Sequence, residues 1–138
     1  MRAAKNRLVV RCRAMVLYHR RPEDPVNGPW RVTTAGYQYT IETDDGEEIL
    51  GYHWRPDSPS PFKEPHLHLG QGARIGRAEF EAAKAHLPTG RVSMEDFIQL
   101  PIEVFEAKPR QDWKDVLRAT AERFWQYASW GSKPRGRN

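Results

Sequence analysis

The chain has one cysteine in 138 residues, Cys12. That excludes an internal disulfide and suits a reducing cytosol. Cys12 lies in an apolar rhythm and reads as a small core residue. No apolar run approaches the roughly 20 residues that span a bilayer. A soluble, cytoplasmic protein with no membrane partner is therefore expected. The first 22 residues contain no acid and 7 basic side chains. Such a start looks superficially like a transit peptide, but a strand pattern follows it at once. Residues 131–138 add 3 basic side chains and no acid, so the remainder holds 12 basic against 18 acidic residues. Basic ends suit nucleic acid or an acidic partner, or simply keep the termini in solution. No secretory h-region is visible, and the sequence shows no internal repeat and no His-Glu-x-x-His. Thr89-Gly90-Arg91 lacks the glycines and the Gly-Lys-Ser/Thr ending of a phosphate loop.

Aromatic content of 11% supplies enough bulky side chains for a core despite a charged fraction of 29%. The length fits a single domain, placed at residues 1–130, ahead of a basic tail at 131–138. Gly131, Pro134 and Gly136 oppose order in that tail.

From Leu8 to Tyr18 every even position is apolar, while Arg11 and Arg13 fall on the other face. Period two predicts a strand. Residues 21–29 are dense in proline and turn formers and predict a loop. A second strand begins near Trp30, and Tyr37, Tyr39 and Ile41 alternate with polar neighbours. Asp44-Asp45-Gly46 reads as a hairpin turn, because glycine tolerates positive φ. The return strand runs from Glu48 to Trp54. After a loop at residues 57–61, a short strand covers His66–Leu69. Glu79–His86 has helical composition, and Pro88–Val92 is a connector. Ser93 caps a helix with acids in its first turn and Pro101 as a break. Asp112 can cap a last helix, on which Trp113, Val116, Leu117, Thr120, Phe124 and Tyr127 form one stripe, with Gly131 as the stop. Strands followed by helices predict an α+β domain. Its antiparallel meander of about four strands carries two C-terminal helices packed on one face.

The segment Glu64-Pro65-His66-Leu67-His68-Leu69-Gly70 stands out chemically. On a strand, His66 and His68 share one face and Leu67 and Leu69 the other. His53, in Gly51-Tyr52-His53-Trp54-Arg55, lies on the preceding strand. Histidine titrates near neutrality and ligates metals, so three together mark a candidate site. His66 and His68 could share an ion such as zinc, with His53, Glu64 or Glu48 as the third ligand. No second histidine pair accompanies it, and no carboxylate trails His68, so no cofactor is expected. General acid–base chemistry on RNA needs a base, an acid and a cation at the phosphate. His66 and His68 supply the pair, His53 assists, and Arg55 and Arg91 are the phosphate contacts. Trp54 and Tyr52 would stack on unpaired bases. For any single histidine the ordinary role is structural, with ring nitrogens satisfied inside the sheet. His19 and His86 are isolated in sequence and receive no role.

Tyr37-Gln38-Tyr39, the Asp45-Gly46 hairpin, Trp54-Arg55, Pro65-His66-Leu67-His68 and the helix from Ser93 together resemble the TumE-type toxins of bacterial toxin–antitoxin modules. The resemblance covers about residues 37–105. It departs where Pro56 separates Arg55 from Asp57 and where Leu67 stands in place of a histidine. Pro-His-Leu-His-Leu-Gly and Leu-Pro-Thr-Gly-Arg-Val also resemble uncharacterised actinobacterial proteins. The resemblance implies a small bacterial cytoplasmic protein that acts with a cognate antitoxin. The leading expectation is a toxin-like protein directed at RNA, a metal-independent ribonuclease using the His-x-His pair. The alternatives are a non-catalytic interaction module with structural histidines and a histidine-based metal-binding protein.

Overall fold

Alternating apolar and polar side chains make the first part of the chain strand, because period two is the repeat of an extended backbone. The computed structural model describes residues 9–22, 30–75 and 86–127. It has five strands, β1 (Val10–Pro22), β2 (Trp30–Thr43), β3 (Glu48–Trp54), β4 (His66–Leu69) and β5 (His86–Pro88). They form one open antiparallel sheet in the order β1-β2-β3-β4-β5. Two helices follow, α1 (Met94–Glu103) and α2 (Trp113–Tyr127). The α+β class is as the sequence predicts, with one strand more than the expected four. The extra strand is β5, where the pattern suggested the end of a helix and a connector. Residues 79–85 of that expected helix lie outside the described residues, as do residues 23–29 of the first loop and the tail at 131–138. The segment from Trp30 to Thr43 is one continuous strand. None of the described helices is long and apolar enough to cross a membrane.

The described residues gather into two compact units, one of residues 9–17, 36–75 and 86–92, the other of residues 18–22, 30–35 and 93–127. In the second unit, α1 begins at a reciprocal cap. Ser93 Oγ accepts from the Asp96 N–H at 3.1 Å, and Asp96 Oδ2 accepts from the Ser93 N–H at 3.4 Å. Pro101 sits in the last turn, and the helix ends two residues later. The two helices touch each other, and Arg20 lies over the Trp30 ring at 4.3 Å.

In the first unit, Gly46 makes the β2–β3 turn with φ at 91°, as the Asp-Asp-Gly sequence predicts. Register then sorts the side chains. Tyr37, Tyr39 and Ile41 pair with Trp54, Tyr52 and Leu50. Tyr52 and Leu50 in turn face Leu67 and Leu69 on β4, and Leu67 faces Leu87 on β5. Directly paired residues share a face, so these make one apolar side of the sheet. Tyr37, Tyr39, Ile41 and Trp54 are buried there. Tyr37 and Tyr39 stack at 4.6 Å. The Tyr37 hydroxyl accepts from the Val92 N–H at 2.9 Å and ties down the connector after β5. Among the described residues, strand β1 borders only β2. Cys12, expected in the core, is exposed there, because an edge strand has neighbours on one side only. Arg11 and Arg13 reach Asp44 and Glu42, at 3.0 and 3.2 Å.

Candidate metal centre

The opposite side of the sheet collects the histidines. His53 on β3 is paired with His66 on β4, and Gly51 on β3 with His68. His68 is paired in turn with His86 on β5. Four imidazoles from three strands therefore stand on one face, in adjacent register positions. Gly51 is the open place among them. A Cβ at Gly51 would stand 2.8 Å from His53 Nε2. The His53 ring leans over the bare glycine and stacks on His68, with centroids 5.1 Å apart and planes at 18°.

A β-bulge brings a carboxylate to the same face. Ile41 pairs with Leu50, but the next residue, Glu42, pairs with Glu48, so Ile49 is the extra residue. Strict alternation along β3 would send Glu48 to the apolar side with Leu50. The bulge inverts it, and Glu48 joins Gly51 and His53. Its carboxylate oxygens lie 4.0 Å from His53 Nε2 and 3.8 Å from His68 Nδ1. Gly70 seats this end of β3: its N–H donates to the Ile49 carbonyl at 3.0 Å, and a Cβ there would lie 2.0 Å from the Glu48 carbonyl oxygen.

Each ring has defined neighbours. His66 is buried, and its Nδ1 donates to the Glu64 carbonyl at 2.8 Å. That bond fixes the proton on Nδ1 and leaves Nε2 as the lone-pair nitrogen. His68 Nε2 and His86 Nε2 are 3.0 Å apart, so one donates to the other. Phe62, from the loop ahead of β4, stacks flat on His86 at 3.9 Å. His53 Nε2 is buried and has no hydrogen-bond partner among the described residues. One ligand nitrogen from each of His53, His66 and His68 lies within 4.8 Å of the other two.

The electrostatics follow from this crowding. Burial, then the charges His68, His66, His86 and Arg55 would present, hold His53 neutral down to about 4. Burial, then His86 and His66, also lower His68. Burial, then the neighbouring Glu42, raises Glu48. Unprotonated imidazoles beside a carboxylate are the donor set of a borderline transition-metal ion such as zinc. A buried ring nitrogen without a partner is the position that such an ion satisfies.

Of the residues singled out from sequence, the fold brings His53, His66 and His68 together. Trp54 and Tyr52 belong to the other face, and Trp54 is buried. The Arg91 guanidinium lies over the Trp54 ring at 4.0 Å, away from the imidazoles. Arg55 is exposed just beyond β3. Sequence reasoning passed over His86 and Gly51. The only signal for His86 is that His86-Leu87-Pro88 repeats the alternation of His66-Leu67-His68, which pattern alone does not turn into a pairing. No family model, curated protein or solved structure matches the chain.

Proposed function

We propose that this protein binds a divalent transition-metal ion through His53, His66 and His68, with Glu48 and His86 beside them. The observation that carries the reading is the buried Nε2 of His53, which has no hydrogen-bond partner among the described residues, together with the grouping of one ligand nitrogen each from His53, His66 and His68 within 4.8 Å of one another. Four clustered imidazoles repel one another if protonated. A cation with empty coordination positions turns the same cluster into a favourable one. The test is titration of chelator-stripped protein with Co(II), followed by visible absorption. Binding in the micromolar range or tighter is expected, and the triple variant H53A/H66A/H68A should lose it. Wild-type protein that takes up no Co(II) or Zn(II) at neutral pH would remove the proposal.

A toxin-like acid–base activity on RNA is the second reading. Its support is the His68–His86 hydrogen bond at 3.0 Å, in which one ring donates and the other accepts, with Arg55 nearby as a cation. It ranks second because burial, and then the neighbouring imidazoles, lower both His53 and His68 and so disfavour the protonated form that a general acid needs. RNA cleavage by the wild-type chain that persists in chelator and is lost in H68A would reverse the order. Intact RNA under those conditions would retire this reading.

A further inference from the structure

We infer that the cluster is built for two metal ions, with His68 as the bridge between them. This rests on the metal reading above and goes beyond it in number and arrangement: His53 and His66, read there as ligands of one ion, are divided between two. The starting observation is that His68 presents its two ring nitrogens to different donors. Nδ1 faces Glu48 Oε1 at 3.8 Å, and Nε2 faces His86 Nε2 at 3.0 Å. The two lone pairs of an imidazole diverge in the ring plane, so one ion cannot use both.

Both gaps are of ionic size. Ligand atoms held at about 2.0–2.2 Å from one ion stand at most about 4.4 Å apart. His53 Nε2 to Glu48 Oε2 at 4.0 Å also meets that limit. One ion then belongs to His53 Nε2, His68 Nδ1 and Glu48. The other belongs to His68 Nε2 and His86 Nε2, with the His66 ring beside them at 4.9 Å from that of His86. The His66 bond to the Glu64 carbonyl leaves Nε2 to serve this second set.

The sheet supplies the reason for the sharing. His68 is on β4, the strand between β3 and β5, with Gly51 opposite on one side and His86 on the other. A side chain at Gly51 would fill the first gap with carbon. When both ions bind, the one N–H proton of His68 is released to solvent as the second metal–nitrogen bond forms. No electron moves. The resulting imidazolate, Glu48 and the nearby Glu42 offset part of the added positive charge.

The test uses the full chain, stripped of metal and titrated with Zn(II) by calorimetry and with Cu(II) by electron paramagnetic resonance. Two Zn(II) per chain are expected. H86A should retain one, and H68A should retain at most one, and weakly. Between one and two equivalents of Cu(II), the signal intensity per copper should fall by more than half, because an imidazolate couples the two spins. A single Zn(II) per chain that H86A leaves unchanged, or two copper ions with independent signals, would overturn the pair and leave the metal reading standing. No ion bound at all would sink both. Circular dichroism of H86A and H68A keeps a folding failure separate from a lost ligand.

Discussion

Replacing Gly51 with alanine isolates the geometry of the site with a single carbon atom. The new Cβ would stand 2.8 Å from His53 Nε2 and 3.3 Å from both His53 Cδ2 and the Tyr39 carbonyl oxygen. Ordinary contact begins at 3.4 Å, so the ring nitrogen must retreat by about 0.6 Å, while the backbone gives by about 0.1 Å. The imidazole is the far end of a rotatable side chain, so the fold absorbs this at small cost. Alanine also restricts the unfolded chain more than glycine, a gain of about 0.4–1 kcal/mol where the native backbone allows it. Stability should therefore change by no more than about 1 kcal/mol. Metal ligation is far less tolerant, since bond lengths hold within about 0.2 Å. Losing the correct position of one ligand should weaken Zn(II) binding by at least about 10–100-fold, the range already seen when only an outer-shell partner is removed. Competition against a chromophoric chelator measures the affinity, and a urea melt of the metal-free protein measures the stability. A G51A protein that binds Zn(II) as tightly as the wild type would refute the reasoning, because the His53 ring would then not be a ligand above Gly51. A large loss of stability would refute the other half, that the ring yields and the backbone moves hardly at all.

Acid should destabilise the metal-free protein in a definite window. His53 stays neutral in the fold down to about 4, against 6.5 for an ordinary histidine, so the unfolded chain takes up the proton first. Its contribution is complete above pH 6.5, declines as pH falls toward 4 and is gone below that. At about 1.4 kcal/mol per pH unit the ceiling is about 3 kcal/mol, and solvent access to the ring reduces this to about 1–2 kcal/mol. Urea melts of H53Q should show a shallower fall over this window, and an unchanged pH profile would count against the assignment. Gly70→Ala tests the seat of Glu48. Its Cβ would meet backbone, the Glu48 carbonyl oxygen at 2.0 Å, which cannot swing aside. A loss of about 1–3 kcal/mol or more is expected, and a variant as stable as the wild type by denaturant melt would show that β3 shifts freely at this point.

Sequence alone determined whatever depends on neighbours along the chain. The strands over residues 10–18, 48–54 and 66–69 were legible because period two is a local property of extended backbone, while the end of β1 at Arg21 and Pro22 falls where turn formers predicted a loop. The turn at Gly46 was legible because positive φ favours glycine, and the start of α1 because Ser93 and Asp96 sit three residues apart. The pairing of His66 with His68 on one face was legible for the same reason. The tertiary structure decided what crosses between strands. Register set His53 opposite His66 and His86 opposite His68, and no rule of spacing relates positions 18 residues apart through an intervening loop. Cys12 was misjudged because its alternation is that of a core strand, while its place at the sheet edge leaves it exposed. Glu48 shows the limit most clearly. Its position in the sequence assigns it to the face of Leu50, and one extra residue in β3, Ile49, transfers it to the histidines. A bulge is selected by pairing with a partner strand, so Glu48, a candidate ligand by composition alone, is placed on the histidine face only once β2 and β3 are side by side.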